Sequence, residues 1–398
     1  MKRKERYSMN MNIIKNIDEN KCVVKLKGRL DTTTVSQLEK ELEEIDPTKE
    51  LVFDFEDLEY ISSAGLRVIL KFKKLNDTTK VINCNSEVYD IFTMTGFADF
   101  MDVSKAFRKL SVDGCEVIGK GFYGTVYRFD EETIVKVYKE GSQFDLIKKE
   151  IDLSRKAFVL GIPTAIPYDI VKVGDLYGAV FELINSKLVQ EMIVEGEDLE
   201  KIVKDLVDIL KKIHSIKIDD DELPSRKDVI MERVDDCKSY LPKDIWEKLK
   251  SLVNDIPEAH TLIHGDFHIK NIMKQNDELL IIDMATISFG HPILELSAIY
   301  ATYFAFACVD KNNTQQFLGI PYEQSKKILQ LTFQYYFNDK TSEYIDDVMY
   351  KASILAYVQV LWIRSNYTQD NQEIQKQEIE FCKNYLIQNV PKVDSLVF

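Results

Sequence analysis

The sequence of 398 residues predicts a fold of class α/β followed by one of class α+β. Strand-like and helix-like segments alternate up to about residue 108, a glycine-rich hairpin follows, and amphipathic helices dominate the remainder. A chain of this length can form two or three domains, each with its own core. We therefore expect an N-terminal α/β domain, then a two-lobed domain with a β-rich N-lobe and a helical C-lobe.

The N-terminal part alternates strands and helices. Strands are predicted over 22–31, 50–55 and 80–84, and helices over 35–42 and from residue 86. The small residues Ser62, Ser63, Ala64 and Gly65 mark a junction between a strand and a helix. A serine at such a helix N-terminus lies where free backbone N–H groups and the helix dipole favour a phosphate. The alternative is that Ser62 only caps the helix.

The glycine-rich segment has the pattern G-x-G-x-x-G-x-V, formed by Gly119, Gly121 and Gly124. Two strand-like runs joined by a turn at 130–132 follow it, which predicts a hairpin and not the strand–turn–helix of a dinucleotide-binding fold. Glycines at this spacing let a backbone approach phosphates closely. Lys136 lies within the apolar second strand, and we interpret it as a phosphate-binding lysine.

A helix is predicted over 144–160, because a Gly-Ile-Pro stop signal follows an amphipathic pattern. Its apolar stripe is predicted to comprise Leu146, Ile147, Ile151, Ser154 and Phe158. A phosphate-binding lysine needs an anion to orient it. Glu150 is the predicted partner of Lys136, and Asp152 is the alternative.

The segment His-Gly-Asp-Phe-His-Ile-Lys-Asn at 264–271 contains chemistry suited to phosphoryl transfer. Asp266 can accept a proton from an attacking hydroxyl, and Asn271 can offer an amide oxygen to a magnesium ion. Asp283 ends a strand-like run and can also hold the metal. A base and two metal ligands at fixed spacing are a large part of what this reaction requires, because catalysis is mostly positioning and charge neutralisation.

Taken with the glycine hairpin and the strand lysine, this motif resembles the aminoglycoside phosphotransferase and choline kinase group of kinase-like enzymes. The resemblance covers 112–398, and the pattern H-G-D-x-x-x-x-N is its most specific element. His268 also matches the group. The resemblance implies a kinase-like N-lobe over 112–184 and a C-lobe over 185–398.

The resemblance also implies residue roles. Asp266 would be the catalytic base, and Asn271 and Asp283 would bind Mg²⁺. Lys136, oriented by Glu150, would contact the α- and β-phosphates of ATP or GTP.

Adenine would be held by backbone groups of a hinge at 181–184, which includes Glu182 and Ile184. The sequence departs from the group at Met284, where an aromatic residue is common. Glu295 stands near the place of an aspartate that braces the catalytic loop in many members.

Residues 9–108 resemble a STAS domain, the fold of anti-sigma-factor antagonists. The resemblance depends on the segments at 28–31, 61–66 and 95–97. It implies a protein partner and aligns Ser63 with the serine that is phosphorylated in that family. Ser62 aligns with the preceding aspartate of the family pattern.

The charge is distributed unevenly along the chain. The formal net charge is −14, yet residues 1 to 110 contain 19 basic and 19 acidic residues, and the remainder 33 and 47. Nucleic acid is not an expected partner, because it requires a basic surface. An acidic surface is compatible with a cationic substrate such as an amino sugar or amino alcohol, although it also serves solubility.

No signal peptide or membrane span is predicted, and the six cysteines form no metal-binding motif, so we expect a cytoplasmic protein.

Three functions remain. The first is a small-molecule hydroxyl kinase with the STAS domain as a regulatory or docking module. The second is a protein kinase acting on a STAS serine, either Ser63 in cis or a partner's serine. The third is a non-catalytic nucleotide-binding scaffold, which the complete set Lys136, Asp266, Asn271 and Asp283 disfavours.

Overall fold

The computed structural model describes residues 11–43, 45–46, 48–121, 124–219, 223–276, 278–367 and 371–398. The chain divides into two compact units, Met1–Leu110 and Ser111–Phe398. Each has its own hydrophobic core.

The first unit is an α/β fold, as predicted. Its elements are β1 (Asn12–Ile17), β2 (Lys21–Leu30), α1 (Val35–Leu42), β3 (Glu50–Ile61), α2 (Ser63–Leu75), β4 (Lys80–Cys84), α3 (Ser86–Met94), β5 (Val103–Lys105) and β6 (Arg108–Leu110). Five strands form one sheet in the order β1-β2-β3-β4-β5. The β1–β2 pair is antiparallel and the other three pairs are parallel. Parallel pairing follows from the helices that cross between successive strands.

The junction of β3 and α2 is tightly packed. A Cβ atom added to Gly65 would lie 2.7 Å from the Leu30 carbonyl oxygen and 2.8 Å from the Ile61 side chain. Only glycine therefore lets the first turn of α2 lie against the end of β2. Phe53 of β3 packs on Phe72 of α2 with ring centroids 6.2 Å apart, which anchors the rest of the helix.

The second unit has the predicted β-rich and helical lobes. Its elements are β7 (Glu116–Lys120), β8 (Gly124–Arg128), β9 (Thr133–Tyr138), α4 (Phe144–Val159), β10 (Pro167–Val173), β11 (Leu176–Glu182), β12 (Lys187–Leu188), α5 (Val189–Val194), α6 (Leu199–Ser215), α7 (Arg226–Asp236), α8 (Lys243–Asn254), β13 (Leu262–Ile263), β14 (Ile272–Gln275), β15 (Glu278–Ile281), β16 (Ser288–Phe289), α9 (Ile293–Tyr303), α10 (Asn313–Leu318), α11 (Tyr322–Tyr336), α12 (Ser342–Asn366) and α13 (Gln372–Asn389).

Within this unit, β10, β11, β9, β8 and β7 lie in that order and pair antiparallel. In the helical lobe, α9 and α12 pack together. The helix α9 is almost entirely buried, whereas α12 is buried mainly over 352–361. Within the described residues, no helix combines the length and apolarity needed to span a bilayer.

The predicted apolar stripe of α4 is partly wrong. Leu146 is 64% exposed and Phe158 is 45% exposed, whereas Ile147, Ile151 and Ser154 are buried as expected. Leu146 lies about 100° around the helix from its buried neighbour, and Phe158 lies in the last turn. Helical periodicity identifies the buried face but not how far the covering strands extend along it.

Candidate active site

Asp266 lies in the loop between β13 and β14, and its carboxylate is held by two side chains. The Asn271 amide nitrogen donates to Asp266 Oδ2 at 3.0 Å and to the Asp266 carbonyl at 3.0 Å. The Asn271 amide oxygen therefore faces away from Asp266. His268 Nε2 lies 3.4 Å from Asp266 Oδ1. Because His268 Nδ1 accepts the Lys270 N–H at 3.2 Å, the ring proton of a neutral His268 is on Nε2, the nitrogen facing the carboxylate.

These contacts keep Asp266 ionised. Burial raises the pKa of Asp266, but the interactions with His268, His264 and Asn271 outweigh burial and lower the pKa to about 2. The side chain remains 43% exposed. A negatively charged oxygen of fixed orientation is therefore available to a hydroxyl group from solvent.

A buried carboxylate accepts hydrogen bonds from the backbone of this loop. Glu295 of α9 is 0% exposed and accepts the His264 N–H at 2.6 Å and the Gly265 N–H at 3.0 and 3.1 Å. These are charge-assisted bonds to two consecutive amides, so they fix the peptide that precedes Asp266. The sequence identified Glu295 as a residue near the brace position.

Arg226, which the sequence analysis did not identify, contacts the same peptide. It begins α7, is 3% exposed, and donates from Nη2 to the Gly265 carbonyl at 3.0 Å. Gly265 has a φ of 84°, and a Cβ atom there would lie 2.8 Å from the Thr286 carbonyl oxygen and 2.9 Å from Arg226 Nη1. The second position of the His-Gly-Asp motif therefore requires glycine for conformation and for space.

Asn271 and Asp283 leave the same end of the β14–β15 pair. Ile272 pairs with Ile281, and the Ile282 N–H donates to the Asn271 carbonyl at 2.8 Å, so Asp283 follows immediately. Asp283 is exposed and has a left-handed backbone (φ 64°, ψ 72°), which is uncommon for residues other than glycine.

One amide oxygen and one carboxylate suit Mg²⁺, which prefers oxygen ligands and is usually bound by few protein groups together with substrate phosphates. Among the described residues, no group of three or more His, Cys, Asp and Glu side chains is arranged to hold a metal by itself. The donors here fit an ion shared with a nucleotide.

Lys136 of β9 and Glu150 of α4 form an ion pair, with Nζ 2.6 Å from Oε1. Their side chains are 16% and 11% exposed. The alternative partner, Asp152, lies 3.3 Å from Arg155 on the exposed side of the helix. Because α4 also packs against the turn Met284–Thr286, the ion pair lies close to the segment that follows Asp283.

The three glycines of the G-x-G-x-x-G segment differ in their surroundings. A Cβ atom on Gly124 would lie 2.2 Å from the Val137 carbonyl oxygen, so Gly124 is required for β8 to pair with β9. Among the described residues, added Cβ atoms on Gly119 and Gly121 meet no atom closer than 3.6 Å and 3.9 Å. Packing therefore does not require glycine at these two positions. Residues 122–123, at the tip of the motif, lie outside the described residues.

At the predicted hinge, several backbone groups already have partners. The Glu182 N–H donates to the Ile166 carbonyl at 2.9 Å, and the Leu183 N–H donates to the Glu132 carbonyl at 2.7 Å. The Glu182 carboxylate accepts the Ile166 N–H at 3.1 Å. The predicted role of Glu182 and Ile184 in holding a base would therefore depend on the remaining backbone groups of this segment.

Comparisons with known proteins match both parts of the chain to families. Residues 8–111 match the STAS domain family, and residues 114–310 match the phosphotransferase enzyme family. The chain joins a STAS domain to a phosphotransferase domain. The predicted families, fold classes and enzyme class are thereby confirmed.

The STAS domain is similar to the anti-sigma-B factor antagonists of Staphylococcus aureus strains NCTC 8325 / PS 47 and COL. Each is 30% identical over 103 residues, which span 24% of this chain and 95% of the relative.

The phosphotransferase domain is similar to several solved structures. The ADP-bound aminoglycoside phosphotransferase APH(2'')-Ib is 19% identical, with a TM-score of 0.47, over 71% of this chain and 94% of that one. The streptomycin–ATP–APH(2")-IIa complex is 18% identical, with a TM-score of 0.46, over 79% and 99%. The amicoumacin kinase hAmiN is 13% identical, with a TM-score of 0.47, over 78% and 95%.

In the STAS domain, the two candidate serines have different environments. The Ser62 hydroxyl caps α2 by accepting the Gly65 N–H at 3.3 Å. Ser63 is the first residue of the helix and is exposed. The capping interpretation therefore describes Ser62, and Ser63 presents the more accessible hydroxyl.

Proposed function

We propose that the phosphotransferase domain transfers the γ-phosphate of ATP, or of GTP, to a hydroxyl of a small molecule in a Mg²⁺-dependent reaction. The STAS domain then serves as a regulatory or protein-docking module. The observation that carries the proposal is the Asp266 carboxylate, ionised, partly exposed and held between His268 and Asn271. An aspartate with only a structural role would not need one oriented oxygen open to solvent.

Each residue contributes to positioning. Asp266 accepts a hydrogen bond from the attacking hydroxyl, aligns its oxygen, and takes its proton as the new O–P bond forms. The bond between the γ-phosphorus and the bridging oxygen breaks in the same step, and the nucleoside diphosphate leaves with that oxygen. Lys136, oriented by Glu150, neutralises charge on the nucleotide phosphates. The Asn271 amide oxygen and the Asp283 carboxylate would hold Mg²⁺, which when bound neutralises the phosphate oxygens.

The charge of the chain supports a cationic acceptor. The part of the chain after residue 110 contains 33 basic and 47 acidic residues, so it carries the entire negative excess. Such a field attracts cations and repels acidic acceptors. Amino sugars and amino alcohols combine a hydroxyl with a positive charge and are the class that we propose.

The test is incubation of the full chain with Mg²⁺ and γ-labelled ATP, alone and with a panel of amino alcohols and aminoglycosides. We expect label on one class of added alcohol and its loss in Asp266→Asn. No transfer to any compound, with no label on the protein, would contradict a catalytic role.

A second candidate is a protein serine kinase that acts on a STAS serine. The exposed hydroxyl of Ser63 favours it. In the same assay, this function predicts label on the protein without added alcohol, mapped to Ser63 and absent from Ser63→Ala. Label on added alcohols that is unchanged in Ser63→Ala supports the first function instead.

We also propose a reducing, cytoplasmic location, since all six cysteines are free thiols.

A further inference from the structure

Tyr138, the last residue of β9, carries a buried hydroxyl that the site described above does not use. The residue is 3% exposed, and its hydroxyl has no hydrogen-bond partner of ordinary geometry among the described residues. Most buried polar groups are paired, because an unpaired group loses its hydration without compensation. An unpaired hydroxyl beside a candidate active site therefore calls for a functional explanation.

The surroundings of this hydroxyl are the nucleotide-binding elements. Lys136 Nζ lies 5.3 Å from the centre of the Tyr138 ring. Burial raises the pKa of Tyr138, and so do the negative charge of Glu150, an interaction of the hydroxyl with that carboxylate that falls short of ordinary hydrogen-bond geometry, and the charge of Asp283. The group is therefore a protonated donor close to Glu150. Gly124 pairs with Tyr138 across the sheet. One side chain thus lies among the lysine, its glutamate, the last glycine of the loop and a proposed metal ligand.

The Lys136–Glu150 pair is complete without this hydroxyl, since Nζ and Oε1 are 2.6 Å apart. A phosphate that draws Lys136 towards itself weakens that ion pair and leaves the buried Glu150 carboxylate short of a donor. The Tyr138 hydroxyl is the adjacent donor, and bonding to Glu150 would remove its own desolvation penalty. The two groups therefore gain from a closer, well-formed hydrogen bond when a nucleotide binds.

We propose that Tyr138 is a positioning residue for the nucleotide, donating its hydroxyl hydrogen bond to Glu150 when phosphates engage Lys136. The poorly paired hydroxyl lowers the stability of the free protein, and its hydrogen bond to Glu150 raises the affinity for the nucleotide in the complex. This inference rests on the proposed function, because it requires a nucleoside triphosphate in the cleft.

The experiment compares Tyr138→Phe with wild type in the full chain. The variant keeps the ring and removes only the oxygen. We expect a melting temperature without ligand equal to or above that of wild type, because an unpaired buried group is gone. The Kd for AMP-PNP with Mg²⁺, measured by calorimetry, should rise roughly tenfold, the typical effect of one lost hydrogen bond to a charged group. A purely structural tyrosine would not separate the two quantities in this way.

Two further variants sharpen the test. Tyr357→Phe removes a hydroxyl from another buried tyrosine, on α12, and should leave the AMP-PNP affinity unchanged. In a Glu150→Leu background, which has no acceptor for the hydroxyl, the effect of Tyr138→Phe on Kd should largely disappear, since the two residues act through one bond.

Failure of this inference can be distinguished from failure of the proposed function. A Kd for Tyr138→Phe within twofold of wild type, or an unchanged effect in the Glu150→Leu background, would overturn the role of Tyr138 while leaving the proposed function intact. Absence of AMP-PNP binding by wild type would overturn both.

Discussion

Replacement of Glu295 by glutamine should damage the catalytic loop more than it damages the fold. The buried carboxylate accepts two backbone N–H groups of the loop. Glutamine keeps one acceptor oxygen but turns an NH₂ group towards the Gly265 N–H, which loses its 3.0 Å bond and faces another donor.

The magnitude follows from the hydrogen bonds that the substitution removes. A hydrogen bond to a charged group contributes about 1.5–3 kcal/mol, and an unpaired buried donor carries a desolvation cost of similar size. The buried guanidinium of Arg226 also loses the nearby negative charge that favours its ionised form. We expect Glu295→Gln to lower the free energy of unfolding by about 2–4 kcal/mol. Because the loop backbone next to Asp266 should shift when this hydrogen bond is lost, turnover should fall by about 100-fold.

Urea unfolding followed by tryptophan fluorescence suits this measurement, since Trp246 and Trp362 both lie in the phosphotransferase domain. Glu378→Gln is the matched control. That buried carboxylate pairs with Arg364, at 2.7 Å from Nε to Oε2, on helices that do not carry the loop. The control should lose comparable stability but keep its turnover per folded molecule.

Equal loss of turnover in Glu295→Gln and in Glu378→Gln, measured at the same folded fraction, would refute the bracing argument. So would a Glu295→Gln variant with wild-type turnover.

Further predictions concern the glycine loop and pH. Gly121→Ala should leave the melting temperature within a few degrees of wild type and weaken AMP-PNP binding. Gly124→Ala should instead lower the free energy of unfolding by about 1–3 kcal/mol through overpacking. Equal stability of the two variants would contradict the packing argument. Burial lowers the pKa of His214 to about 3, so below its unfolded pKa of about 6.5 only the unfolded state binds the proton. Stability should therefore fall as pH drops, by about 2 kcal/mol from this residue between pH 7 and 5, and a shallower slope in His214→Gln checks it.

Spacing in the sequence predicted the parts of the site that come from contiguous segments. Asp266 and Asn271 share one loop, and Asp283 follows the hairpin that begins after that loop, so their proximity follows from local structure. The sequence pattern also favours Glu150 over Asp152 as the partner of Lys136. Glu150 is three residues after Ile147 and shares its face of the helix, whereas Asp152 lies on the other side.

The rest depends on tertiary packing, which leaves no local pattern. Arg226 reaches Gly265 from 39 positions earlier in the chain, and an arginine after a capping serine usually lies in solvent. Tyr138 is a typical strand residue by its sequence. Only the packing of α4 in the folded protein shows that the Tyr138 hydroxyl is buried beside Glu150.

The central claim is that Asp266 acts on the phosphate acceptor and not on the nucleotide. The most direct test measures turnover and AMP-PNP affinity together in Asp266→Asn, which preserves shape and removes the charge. The account predicts that turnover falls by at least about 100-fold while the Kd for AMP-PNP with Mg²⁺ stays within about twofold of wild type. Undiminished turnover in Asp266→Asn would contradict it.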